Sequence, residues 1–357
     1  MKRRRNPRLV LAAFLGAALY LMLFPRPAGR EHFLVPVWTL DLSRAKPTAV
    51  VEEKRVPLWF RVRDRFGYVD LASKLHYQGR TLYNVALSEA GFINYARIPE
   101  NLVFRDPDGG FVYGVPSFGY PLLENTGARL YTINTDLRGI QAWSSEGERL
   151  WQAEFFSPLT SVNLRGEECL LGLVEGKVMF FGIEGELLYE DADTGSRLPV
   201  VLATALRPDA GQLAWISGLD PQRLSIVNRK NGDFTRQYSL DLESDYRREI
   251  YLRYFEEGRF IVFEAPGGLD LLDLSRRRIY PVDLSGELRS LSVASEQGML
   301  AAGTGSGGET ALEIFFPLNR QLYTKTLAGG DLFLRIVDNH LLLAFGDHLL
   351  RLDLLEG

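Results

Sequence analysis

The feature that most constrains this chain is its self-similarity. Apolar strand starts recur at Leu82, Leu130, Leu170, Leu213, Phe260, Leu300 and Leu341, at intervals of roughly 40–48 residues. Each start opens a short apolar run. A turn, an alternating second strand, a glycine-containing turn, a third strand and a longer connection follow. Asn231-Gly232, Glu146-Gly147 and Glu184-Gly185 supply the turns, and Asn-Gly in particular suits a two-residue hairpin because both positions need a positive φ. Helix signals are scarce after residue 30. A unit of this size cannot bury its own apolar face, so copies must stack against one another.

Seven starts at this period predict an all-β chain, a seven-bladed β-propeller of four-stranded antiparallel blades over residues 57–357. Aromatics stand late in the units, at Trp151, Tyr189, Phe234, Tyr280 and Tyr323. Their regular spacing points to rings filling the wedge between twisted sheets rather than to a ligand platform. Arg65-Phe66-Gly67-Tyr68-Val69 is echoed by Ser117-Phe118-Gly119-Tyr120-Pro121, which reads as the corresponding entry strands of neighbouring blades. The chain ends on Leu349–Gly357, a strand with no successor, so an early strand must close the last blade. Pro57–Val62, with Trp59, is the expected donor. Val35–Leu40 is the rival, disfavoured as a central strand by Pro36.

The N-terminus carries a different signal. Lys2, Arg3, Arg4, Arg5 and Arg8 precede an uncharged run, Leu9–Phe24. At ~1.5 Å per residue that run makes roughly 24 Å of helix, somewhat short of a ~30 Å hydrocarbon core, a gap that snorkelling of Arg8 and Arg26 can close. No small-x-small pair suited to cleavage follows Phe24, which favours an uncleaved signal anchor over a cleaved signal peptide. The positive-inside rule then places everything beyond Phe24 outside the cytoplasm. The expected organisation is a basic cytoplasmic segment (1–8), a transmembrane signal-anchor helix (9–24), a linker (25–56) and the propeller (57–357).

Charge and chemistry narrow the function. The net charge is −4, from 41 Lys+Arg against 45 Asp+Glu, and no acid precedes Glu31, so the body is more acidic still. That argues against nucleic acid as partner. The single cysteine, Cys169, excludes an intramolecular disulfide, a cysteine-rich zinc module and an iron–sulfur site, and its apolar neighbours mark it as core filling. Gly303–Gly308 fits G-x-G-x-x-G, but a strand pattern rather than a helix follows, so it reads as a hairpin loop. His32, His76, His340 and His348 form no metal-ligand set, although His340 and His348 share a predicted hairpin. Asp106-Pro107-Asp108-Gly109 and Glu190–Gly195 lack the twelve-residue calcium spacing and read as turns. Arg61, Arg63 and Arg65 alternate along one strand, and Arg276, Arg277 and Arg278 fill a turn. Both sets suit solvated surface, or recognition of an acidic partner or a glycan phosphate. Loops Leu240–Arg253 and Ser295–Gly308 are the expected variable surfaces. No catalytic, cofactor or metal residue is assigned.

The unit grammar of second strand, x-x-Gly and then x-Leu-Trp/Tyr resembles that of the WD40-like and PQQ-like (quinoprotein-type) β-propeller superfamily over residues 57–357. The Trp-Asp and Gly-His pairs of true WD40 repeats are absent, and so is the adjacent cysteine pair of a quinone dehydrogenase. The resemblance implies a disc with a central channel and two loop-bearing faces. Bacterial members with an export signal look like periplasmic scaffold proteins, including an envelope-assembly lipoprotein type, whose lipidation cysteine this chain lacks. The expectation is therefore a membrane-tethered, extracytoplasmic scaffold with a protein partner in the bacterial envelope and no cofactor. The alternatives are a glycan or small-ligand sensor on the channel face, or an enzyme with its site at a channel mouth.

Overall fold

A computed structural model describes residues 32–47, 57–127, 129–192, 195–255, 257–294, 298–316, 321–327 and 330–356. These residues form antiparallel sheets arranged as eight blades, one more than the period predicts. Among the described residues seven sheets have four strands, and blade 1 has three: Leu58–Val62, Arg65–Val69 and Leu75–Arg80. Blade 6 shows the common plan, with Leu252–Phe255 innermost, then Phe260–Ala265, Gly268–Asp273 and Arg278–Asp283 outermost.

The core explains why the second strands dominate the sequence pattern. Each central strand is sandwiched between two neighbouring blades, so side chains pointing either way are buried and the alternation of a one-sided sheet disappears. In blade 4, Cys169, Leu171 and Leu173 pack toward blade 3 while Leu170 packs toward blade 5. Phe260–Phe263 is buried at all four positions for the same reason. Eight apolar clusters each bridge one pair of adjacent blades, including blade 8 to blade 1, so the ring is closed. Four of the late aromatics, Trp151, Tyr189, Phe234 and Tyr280, do pack in the wedges, whereas Tyr323 is exposed. Trp151 of blade 3 stacks on Phe181 of blade 4 at 5.9 Å, and Tyr189 of blade 4 stacks on Phe234 of blade 5 at 4.8 Å.

The seven-blade count fails at its first marker. Leu130, Leu170, Leu213, Phe260, Leu300 and Leu341 all fall on second strands, but Leu82 is 71% exposed on the connection between blades 1 and 2. The true second strands there hold Phe66 and Phe92, little more than half a repeat apart. Both are short and interrupted by Gly67 or Asn94, so neither presents a long apolar run. The Phe-Gly-Tyr echo is likewise not one of equivalents: Arg65–Val69 is a central strand, whereas Tyr120–Leu123 is the innermost strand of blade 3.

Closure also comes from the other donor. His32–Asp41 pairs along Leu349–Leu355 and completes blade 8 as its outermost strand, whereas Leu58–Val62 belongs to blade 1. Pro36 is tolerated because it sits on an edge strand, at a register shift between Pro36 and Trp38. Trp38 Nε1 donates to Leu71 O at 2.9 Å, and Leu42 is buried in the blade 8–blade 1 cluster, which fastens the strand to both ends of the ring. The expected transmembrane helix, Leu9–Phe24, lies outside the described residues. Among the described residues no helix is long and apolar enough to cross a membrane. Ser295–Gly308, expected to be a loop, contains the strand Leu300–Ser306.

Candidate functional site: the central channel

The innermost strands converge on one axis, and their side chains wall two chambers. The larger, about 610 Å³, is bounded by blades 1, 2, 6, 7 and 8. The smaller, about 320 Å³, is bounded by blades 3 to 6. Arg61 on the first strand of blade 1, Arg63 in the following hairpin and Arg289 on blade 7 face the larger chamber, beside Trp59, Tyr251 and Phe333. Asp331 is the acid on that wall among the described residues. Arg165 and Arg253 face the smaller chamber, with Asn125 and Asn163.

Local backbone explains how Arg289 reaches the channel. The ladder pairs Leu288 with Thr304 and Ser290 with Gly303, so Arg289 is the extra residue of a bulge, a device that re-aims a side chain. Gly305 on the neighbouring strand keeps the space clear, since a Cβ there would overlap the Arg289 guanidinium. Gly303 likewise makes room for the Ser290 hydroxyl. The G-x-G-x-x-G segment is thus a hairpin of blade 7, turning at Gly307-Gly308, and its glycines accommodate side chains from the channel strand.

Two further arginines show contrasting environments. Arg335 of blade 8 is a structural charge. It bonds Glu89 Oε1 at 2.9 Å, reaches Trp59 O at 3.4 Å and lies over the Trp59 ring at 4.5 Å. Blades 8, 1 and 2 are thereby tied together. Burial pushes its pKa down to about 10, against the opposing pull of Glu89. Arg253 projects into the lumen, reachable by solvent yet crowded by protein, and that crowding lowers its pKa, with Glu249 acting in the opposite sense. Its Nη1 donates to the neighbouring Leu252 O at 2.8 Å.

The other residues singled out in the sequence do not converge. Arg65 turns away from Arg61 and donates to Leu42 O at 2.6 Å. Arg276 lies near Asp273, and Arg278 stacks over Tyr280 at 5.1 Å. His76 contacts Asp108 at 3.1 Å, and His340 contacts Asp353 at 2.8 Å. His340 and His348 sit at opposite ends of their hairpin, opposite Asp353 and Phe345 respectively. The Asp106 carboxylate accepts the backbone N–H groups of Asp108 and Gly110, an Asx turn. No cluster of three or more metal-ligating side chains occurs among the described residues. Cys169 is fully buried, and burial raises its thiol pKa far above the usual range. A thiol reagent is expected to react with it only after unfolding; stoichiometric labelling of the native protein would contradict that placement.

Sequence reading missed Arg253, Arg289 and Arg335. For Arg253 and Arg335 the signal is a lone arginine inside an otherwise apolar first strand, as in Leu252-Arg253-Tyr254-Phe255; Arg289 lies in the mixed strand Glu287–Val293 and carries no such signal.

A family model for a β-propeller protein matches residues 1–357. The chain belongs to the β-propeller family. The crystal structure of BamB from Moraxella catarrhalis is similar to this propeller with a TM-score of 0.61 at 13% identity, covering 90% of this chain and 100% of that one. The computationally designed Ika8 protein gives 0.60 at 13% identity, covering 85% and 97%. The Cps50 (Swd1) β-propeller domain from Myceliophteria thermophila gives 0.53 at 14% identity, covering 75% and 95%. At these identities the likeness is one of fold. An uncharacterised protein of Treponema pallidum is 22% identical over 293 residues, 80% of this chain and 77% of that protein. These neighbours share the propeller fold that the resemblance implies. The propeller itself is shown; its tethering is not.

Proposed function

We propose that this propeller is an exported, membrane-tethered scaffold of the bacterial cell envelope, which holds a protein partner at its central channel. The observation that carries the reading is the channel wall. Arg61, Arg63 and Arg289 set three positive charges against one acid, Asp331, in a chain of net charge −4, and such complementarity selects and orients partners. The ring is a rigid repeat assembly with long connections, as between Asp233–Leu242 and Leu252–Phe255, and scaffolds place recognition on such surfaces. The basic N-terminus followed by the apolar run Leu9–Phe24 supports export and tethering.

The reading is tested by crosslinked pull-down of the full chain beside a version beginning after Phe24. Both are expected to capture the same single protein, the shortened one from the soluble fraction. Substrate turnover by the purified propeller with no protein captured would replace the scaffold with an enzyme.

A further inference from the structure

We propose that the larger chamber binds an acidic peptide segment of the partner, with Arg61, Arg63 and Arg289 taking its carboxylates. The proposal rests on the scaffold reading and assigns its partner's chemistry. None of the three guanidinium groups has a carboxylate in ion-pair contact among the described residues. Elsewhere on the same surface arginines pair routinely, as Arg80 with Asp64, Arg207 with Asp209 and Arg223 with Asp241. Three like charges around one cavity repel one another, and a bound anion turns that repulsion into attraction. The arginines are also placed, not merely left over. Arg61 and Arg63 come from blade 1 and Arg289 from blade 7, where it is held by a bulge and by the space over Gly305.

Extent and lining select a peptide over a small anion. A chamber of about 610 Å³ far exceeds one carboxylate or phosphate. Arg253 and Arg165 add positive charge on the wall of the second chamber, beside one acid, Glu124. An extended chain with successive acids meets these groups in turn, whereas a point anion meets one. Trp59, Tyr251 and Phe333 offer rings for apolar side chains between the acids.

The test is fluorescence anisotropy on the full-length chain with a fluorescein-labelled decapeptide of glutamates around one phenylalanine. The same peptide with glutamine for glutamate is the control, and inorganic phosphate and free glutamate serve as competitors. The acidic peptide is expected to bind and to weaken as salt rises, while the glutamine peptide does not bind. The double variant Arg61→Gln/Arg289→Gln is expected to bind about tenfold more weakly or worse with an unchanged unfolding midpoint. Arg44→Gln, on a side chain 88% exposed outside the chamber, is expected to bind as the parent does. Gly305→Ala retains every charge but displaces Arg289, and it is expected to weaken binding as well. Equal binding of the two peptides, or undiminished binding by the double variant, overturns the proposal. Phosphate competing as well as the peptide does makes the chamber a small-anion site and overturns it too. The scaffold reading fails separately. A double variant that still captures the wild-type partner leaves the scaffold standing and removes the chamber from it. A wild-type chain that binds the acidic peptide but captures no protein does the reverse.

Discussion

A chain beginning at Pro57 is expected to lose its ring, whereas one beginning just after Phe24 keeps it. The shorter chain lacks His32–Asp41, so Leu349–Leu355 becomes a free edge, and Leu42 is missing from the cluster that joins blade 8 to blade 1. Leu34, Trp38 and Leu40 leave with it, each packed against an apolar cluster. Buried side chains of this kind contribute about 1.5–3 kcal/mol each, so the loss exceeds about 4 kcal/mol, a large part of a typical domain's stability. Opening the ring also exposes long strand edges, which invite aggregation. Denaturant unfolding of the two truncations is the measurement. The chain from residue 25 is expected to unfold cooperatively, and that from residue 57 to be aggregated or to have a much lower midpoint. Equal midpoints would mean that the ring closes without this strand.

Strong alkali is expected to unfold the protein in a steep step starting near pH 10. Tyr68 and Tyr131 are fully buried, with hydroxyls donated to Ser88 O at 2.9 Å and Glu167 O at 2.7 Å. Tyr254 is buried with its hydroxyl unpartnered. Burial raises all three phenol pKa values well above 10. A raised folded pKa means that the folded state keeps a proton the unfolded chain gives up at about pH 10. The stabilisation is therefore complete below that pH and is lost as pH rises toward the folded values. Each such tyrosine removes about 1.4 kcal/mol per pH unit, roughly 4 kcal/mol per unit for the three. Arg335 acts oppositely. Its pKa is lowered to about 10, so it adds stability as pH rises from 10 toward the unfolded value. Arg253, whose pKa burial also lowers, acts in the same sense, and two such groups against three still leave the tyrosines dominant. Absorbance at 295 nm should therefore show a step coincident with loss of the far-ultraviolet strand signal. A single smooth titration with intact secondary structure would contradict the burial of these rings.

Much of the fold was legible because a central strand buried on both faces must be apolar throughout, and six of the seven markers found such a strand. The count failed where that signal weakens, at the short central strands carrying Phe66-Gly67-Tyr68 and Phe92-Ile93-Asn94. The closing strand was misjudged because Pro36 was weighed against a central position, while the vacancy lay at an outer edge, where a missing N–H is harmless. The channel was less legible still. First strands such as Leu252–Phe255 are too short to show a period, and which side chains meet at the axis depends on the blade count itself. Arg61 and Arg63 were visible as an alternating pair. Arg289 was not, because a bulge rather than a strand period places it.

The central claim is a ring of eight blades fastened by an early strand lying outermost on the last blade. A cysteine pair tests it directly, since Cys169 is buried and leaves little thiol background. Thr39 and Leu350 face each other across the closing strands, within the reach a disulfide needs. Thr39→Cys/Leu350→Cys is therefore expected to oxidise rapidly to an intramolecular disulfide in the native protein, while Arg61→Cys/Leu350→Cys stays reduced. A disulfide in the second pair and not in the first would mean that Leu58–Val62 closes the ring, and the arrangement described above would be wrong.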